Sequence, residues 1–450
     1  MTSGSMQSGE VPAAHTSRTG NITGMLRSLV ARLQGSRRQA LSRYVWSTMS
    51  MGTSLVAHAA GLVILARYLG AEQFGLLTLV TTGSNLALTW CGLGSGEVLR
   101  RMVSRDPSSY PVALGHALSL VLGTGIVLTI VASAILAASI KISLDGWTNV
   151  LLIGLLVFSN IVMFAWIGLA EQILLAHDRL NEANLVNLSS GIGRAVAVLL
   201  ACVVFGVTSL QSYIYWHFAF YSVVALACIS SVVQFGPPRF VILWDELLRG
   251  ATISLASLMI MLRRNADVLM VSAIASPAVV GVYAVASRVV ATASVVTASL
   301  DRLVYSNLAR AGRDGAVATL AAVRRYAVYA IALCGITTIA LWIAAPFLPI
   351  VFGAAYKDSV ALVQLLAATL FLVSLHWLAV DALTAAERHT ERLVVEVITG
   401  LLGVGLLIGL GYAFGITGVI LSVYLSGILV VIGLWGVLFW LARRESTPAG

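Results

Sequence analysis

Residues 250–301 read GATISLASLMIMLRRNADVLMVSAIASPAVVGVYAVASRVVATASVVTASLD, two apolar spans joined by a short turn, with charges where lipid-facing chains do not carry them. The first span, about 251–275, is long enough to cross roughly 30 Å of hydrocarbon, yet Arg263, Arg264 and Asp267 sit near its middle. A charge at that depth costs about 2.5–3.5 kcal/mol on insertion scales, so the span must turn these side chains to a wet cavity or a partner inside a bundle. On a helical wheel Ser254, Ser257 and Arg264 share one quadrant, and Asp267 lies between the directions of the two arginines. Asp267 follows Arg263 by four residues and Arg264 by three, so one ion pair within the helix leaves one positive charge over. The second span carries Arg288 about ten residues from its outer end, with Tyr283, Ser287, Ser294, Thr297 and Asp301 as a polar stripe.

The whole chain fits that pattern. It has 450 residues, 59% hydrophobic and 10% charged, with a mean hydropathy of +0.93; this is the composition of an all-α polytopic membrane protein and not of a soluble domain. Cys91, Cys202, Cys228 and Cys334 fall within apolar spans without metal-ligand spacing and read as packing residues. The net charge of +9 finds its meaning in topology and not in nucleic acid. With both termini cytoplasmic, 21 of the 28 Lys and Arg residues fall on inner segments and only Arg67, Lys141 and Lys357 outside. The remaining four, Arg194, Arg263, Arg264 and Arg288, are in mid-span.

Taken in order, residues 1–43 read as a disordered cytoplasmic tail followed by an amphipathic interfacial helix, with Ile22, Met25, Leu26, Leu29, Val30 and Leu33 on its apolar face. Twelve spans follow, six in an N-terminal lobe over 44–235 and six in a C-terminal lobe over 250–442. A cytoplasmic linker, 236–249, opens with Pro237-Pro238, and a cytoplasmic tail occupies 443–450. Pro346 and Pro349 are expected to bend the ninth span. LARYLGAEQFGLLTL at 65–79 matches VSAIASPAVVGVYAV at 271–285 in pattern, setting Gly75 over Gly281 at an offset of 206. Phe205-Gly206-Val207-Thr208 lies over Phe414-Gly415-Ile416-Thr417 at an offset of 209. A nearly constant offset marks an internal repeat. Six spans being an even number, the two repeats share one orientation.

No nucleotide-binding GxxxxGK[ST] occurs, so ATP hydrolysis by this chain is not expected and any transport is secondary or gradient-driven, and outer loops of about ten residues or fewer leave little room for an enzyme's active site. The polar residues left within spans form stripes: Thr78, Thr82, Asn85 and Thr89 in the second span, Asn187, Ser190 and Arg194 in the fifth. Small hydroxyls also join packed helices, so the threonine stripe has a packing reading beside a functional one. Arg194 lies too deep to snorkel and needs a cavity or an acidic partner, for which Asp267, Asp381 and Glu396 are the candidates. His217 and His376 are titratable and equally fit packed hydrogen-bonding roles; Glu171 reads as an interfacial charge. Four mid-span arginines against one mid-span acid predict a cationic lumen suited to an anion, because guanidinium forks match phosphate oxygens.

The runs LARYLGAEQFGLLTL, ADVLMVSAIASPAVVGVYAVASR and PIVFGAAYKDSVALVQLLA resemble the hallmark segments of Wzx-type polysaccharide biosynthesis proteins, lipid-linked oligosaccharide flippases related to the MATE transporters, over about 40–442. The resemblance implies two MATE-like six-helix lobes and a central cationic cavity for a polyprenyl-pyrophosphate head. It also implies alternating access in a bacterial inner membrane and no enzyme activity. Asp267 falls where such proteins commonly carry an acid on the seventh helix, as a coupling or ion-pair residue. Arg194, Arg263, Arg264 and Arg288 fit the cationic lumen without mapping onto fixed family positions. The expected partners are the lipid-linked oligosaccharide, membrane lipids and a glycan polymerase. No cofactor is expected, with an H+ or Na+ gradient or the membrane potential as drive. The competing reading is a MATE-like exporter of a drug or metabolite, which calls for a mid-span acid in the N-terminal lobe that this sequence lacks.

Overall fold

The computed structural model describes residues 56–139, 146–313 and 315–446; the tail and interfacial helix expected over 1–43, and most of the first span, lie outside the described residues. The described chain is helical with short connections. In order, the helices are α1 (56–88), α2 (Ser95–Arg105), α3 (Tyr110–Ser139), α4 (Gly146–Phe158), α5 (Phe164–Ala176), α6 (Leu180–Leu188), α7 (Arg194–Leu199), α8 (Leu210–Val232), α9 (Trp244–Ile274), α10 (Pro277–Arg313), α11 (Ala316–Ala344), α12 (Leu348–Phe352), α13 (Ser359–Leu366), α14 (Thr369–Ala385) and α15 (His389–Ser446). Among the described residues nine helical stretches are long and apolar enough to cross a membrane. The stretch built on α9 is not one of them, because Asp245, Glu246, Arg249, Arg263, Arg264 and Asp267 all sit on that helix. Two of the nine contain a break, at Gly70 in α1 and at Gly415 in α15, both in the left-handed region.

The expected linker, 236–249, is part extended and part helical. Only 236–243 is extended; from Trp244 the chain is already α9, whose first turn carries Asp245 and Glu246 where the helix dipole favours them. The linker is tied down by the Arg239 amide donating to the Pro111 carbonyl at 2.7 Å and by the Leu243 amide donating to His116 Nδ1 at 3.2 Å. Glu246 binds Arg101 of α2, closing the same region with an ion pair. At the prolines, α11 ends at Ala344 and a turn at Ala345–Phe347 leads into the short α12, the expected interruption.

Equivalent turns recur in the two halves. Asp178 and Glu387 are left-handed at φ 58° and 59°, 209 residues apart. After each, an amide reaches back to close the preceding helix, Arg179 to the Leu174 carbonyl at 2.9 Å and Arg388 to Leu383 at 2.8 Å. The same arginines then pair forward, Arg179 with Glu182 and Arg388 with Glu391. Gly206 and Gly415, at φ 64° and 61°, repeat that spacing. The other offset shows itself as a contact: a Cβ on Gly75 would lie 1.8 Å from the Pro277 carbonyl oxygen, and one on Gly281 would lie 2.1 Å from that of Ala71. Residue 71 stands to 277 as 75 stands to 281, so the crossing of α1 and α10 is reciprocal, as across a local two-fold axis.

The apolar core reflects this crossing. One buried cluster draws residues from both halves, among them Phe74, Tyr283, Val285, Tyr356 and Leu370. Two further clusters are private to one half each, the first around Leu99, Ile173 and Tyr221, the second around Leu308, Leu378 and Leu434. The halves therefore share a core toward the Gly70 and Gly353 turns and keep separate cores toward the Arg179 and Arg388 turns. The shared end is further fastened by Tyr356 donating to the Ala66 carbonyl at 3.0 Å and Arg67 donating to the Ile350 carbonyl at 3.2 Å.

Candidate functional site

At the edge of the shared core lies a small cleft of about 30 Å³, lined by His58, Phe74, Thr78, Thr81, Arg194 and Arg288 together with small and aliphatic side chains. That is about the room of a water molecule, so a head group enters only as the walls move apart. The cleft brings together residues remote in sequence. His58, Phe74, Thr78 and Thr81 come from the two segments of α1, Arg194 from α7 and Arg288 from α10.

Arg194 opens α7 between two π-helical turns, Ser189–Gly193 and Leu200–Val204. Such turns shift the direction of side chains along an otherwise regular helix. The guanidinium lies beside the phenols of Tyr213 and Tyr221 on α8, without a hydrogen bond of full geometry to either. Tyr213, His217 and Tyr221 recur at four-residue spacing and are all buried, forming one face of α8. His217 Nε2 stands 3.2 Å from Asn160 Oδ1, and His217 Nδ1 stands 3.4 Å from the Tyr213 hydroxyl. Arg194 thus has phenols for neighbours, not Asp267, Asp381 or Glu396 as the sequence suggested. Of the three, Glu396 lies 3.6 Å from Arg392 and 3.9 Å from His376, between α14 and α15, and Asp381 also stands near Arg392.

Arg288 crosses the cleft with its guanidinium carbon 6.0 Å from the Phe74 ring centroid, a cation–π arrangement that holds the charge without neutralising it. Arg194 and Arg288 are close enough to repel each other, and among the described residues no carboxylate lines the cleft. Thr78 points a buried hydroxyl with no hydrogen-bond partner, whereas the Thr81 hydroxyl donates to the Thr78 carbonyl at 3.1 Å. The lower part of the expected threonine stripe is structural: Thr89 donates to the Leu86 carbonyl at 2.6 Å.

The remaining expected residues do not join the cleft. Asp267 accepts a hydrogen bond from the Tyr283 hydroxyl at 2.7 Å, while its Oδ1 is buried without a partner. Arg264 is exposed, forms no ion pair with Asp267 and does not line the cleft. The side chain of Arg263 lies outside the described residues. Sequence reasoning named His217 and missed Tyr213, Tyr221, Asn160 and His58. The spacing of the aromatic residues in YIYWHFAFY was the available signal for the first two.

Comparison with known proteins bears on the family and the fold. Residues 64–361 match the family described as polysaccharide biosynthesis protein. No curated protein matches the sequence. Among solved structures, an inward-facing multidrug resistance MATE family transporter of the MOP superfamily is similar at 16% identity over 88% of this chain and 96% of that one, with a TM-score of 0.70. The lipid II flippase MurJ in an inward closed conformation is similar at 13% identity over 88% of this chain and 87% of its own, with a TM-score of 0.68. An outward-facing MATE transporter of the same superfamily, at 16% identity over 88% of this chain and 97% of that one, gives 0.53. At these identities the likeness is one of fold. The match over most of the length, on a MATE- and MurJ-like helical fold, makes this chain a member of the polysaccharide biosynthesis protein family.

Proposed function

We propose that this protein carries an anionic, polyprenyl-pyrophosphate-linked oligosaccharide from the cytoplasmic to the periplasmic leaflet of a bacterial inner membrane, for O-antigen or exopolysaccharide assembly. The observation that carries this reading is the cleft with two arginines and, among the described residues, no lining carboxylate. At an effective dielectric of about 20, a pair of opposite unit charges at 4 Å attract by about 4 kcal/mol before desolvation, and Arg194 and Arg288 together offer two such interactions to one pyrophosphate. A cationic drug would be repelled from the same cleft, so the exporter alternative loses its attraction term there.

Transport proceeds by alternating access between two six-helix lobes, 44–235 and 250–442. The halves share a core at one end and keep separate cores at the other, where they still meet at Gly94 and Gly250 and through the Arg101–Glu246 pair. With both termini cytoplasmic, the shared-core end is periplasmic and the cleft is reached from inside; the higher similarity to inward than to outward conformations supports this assignment. The glycan and polyprenyl portions extend beyond the cleft into the gap between lobes and the surrounding lipid. A proton or sodium gradient or the membrane potential supplies the drive, and a glycan polymerase takes the product. Cells lacking their own copy and supplied with Arg194→Gln or Arg288→Gln should lose glycan export at normal protein abundance and gain no drug sensitivity. Restored export with a new drug sensitivity would favour the exporter reading.

A further inference from the structure

The buried stripe on α8 explains how a guanidinium can be fixed deep in the protein without losing its charge. With Asn160 Oδ1 assigned as the acceptor, the His217 Nε2 facing it at 3.2 Å carries the ring hydrogen and Nδ1 is left as a bare acceptor. In that assignment the Tyr213 hydroxyl donates to His217 Nδ1 at 3.4 Å, which leaves its oxygen lone pairs free for the neighbouring Arg194. A carboxylate in that place would cancel the arginine's charge; a phenol contributes only the negative end of a dipole. Tyr221 packs on His217 at 4.7 Å between ring centroids and completes the wall beside the guanidinium. The described residues hold three π-helical turns, and all three serve this arrangement, one carrying Asn160 and two flanking Arg194.

We propose that Tyr213 and Tyr221, oriented by His217 and Asn160, are positioning residues that hold the Arg194 guanidinium toward the cleft with its charge available to the anionic head group. This rests on the reading of the cleft as an anion site. The test measures binding of farnesyl pyrophosphate to the full chain in lipid nanodiscs, with thermal unfolding as a check on folding. Tyr213→Phe, which keeps the ring, should weaken binding about three- to tenfold. His217→Phe, which removes the acceptor that orients the phenol, should do the same and serves as the second variant if the first is poorly folded. On an Arg194→Gln background neither change should weaken binding further, because both act through that side chain. Wild-type affinity in both variants, or equal weakening with and without Arg194, overturns the positioning role. Arg194→Gln weak with Tyr213→Phe and His217→Phe normal removes only this inference. Arg194→Gln binding like wild type removes the anion site and the positioning role together.

Discussion

Arg194 and Arg288 reach one cleft from opposite halves of the chain, held by a pair of phenols in one case and by the face of Phe74 in the other. These supports differ in what they require of the side chain. A lysine at 288 keeps a cation over the ring, whereas a lysine at 194 cannot meet two phenols and a phosphate with one fork. Arg288→Lys is therefore expected to retain a larger share of glycan export than Arg194→Lys, with each glutamine variant lower still; export assays at matched abundance read the order directly. The depth of these two arginines was legible in the sequence, because neither can snorkel from its place. Their surroundings were not. A helical wheel gives direction relative to one helix axis and says nothing of what that helix faces, so Arg264 looked equivalent to Arg288 yet is exposed. Charge counting sought a carboxylate for Arg194, and phenols do not appear in such a count.

At the scale of elements, the reciprocal crossing of α1 and α10 is the joint on which the shared-core end depends. A methyl on Gly75 would meet the Pro277 carbonyl oxygen at 1.8 Å, backbone that cannot turn aside like a side chain. Gly75→Val should destabilise this state by about 1–3 kcal/mol, the usual range for overpacking. Gly281→Val should do likewise against Ala71. Because both act on one joint, the double variant should cost less than the two single costs together, as thermal unfolding of the purified protein measures. The repeat offset of 206 at these glycines and of 209 at Gly206 and Gly415 was readable because glycine marks such places. The matching turns at Asp178 and Glu387 were not, since a left-handed aspartate or glutamate carries no mark of its conformation. The early start of α9 at Trp244 was hidden by Pro237-Pro238 and by charges that look like linker and act as a helix first turn.

For the whole molecule, the asymmetry of basic residues and the division of the core make one joint prediction about sidedness. Cysteines placed at Ser209 or Lys357 should react with membrane-impermeant reagents from outside the cell, and those at Asp106 or Asp245 only from inside; the reverse pattern would invert the direction assigned to the cleft. The cationic cleft and its role in moving a lipid-linked anion are tested most directly by reconstitution. In proteoliposomes carrying a fluorescent polyprenyl-pyrophosphate glycan, the intact protein should move the label between leaflets, and the Arg194→Gln/Arg288→Gln double variant, inserted equally well, should slow that movement at least tenfold; movement at the intact protein's rate by the double variant would contradict the account.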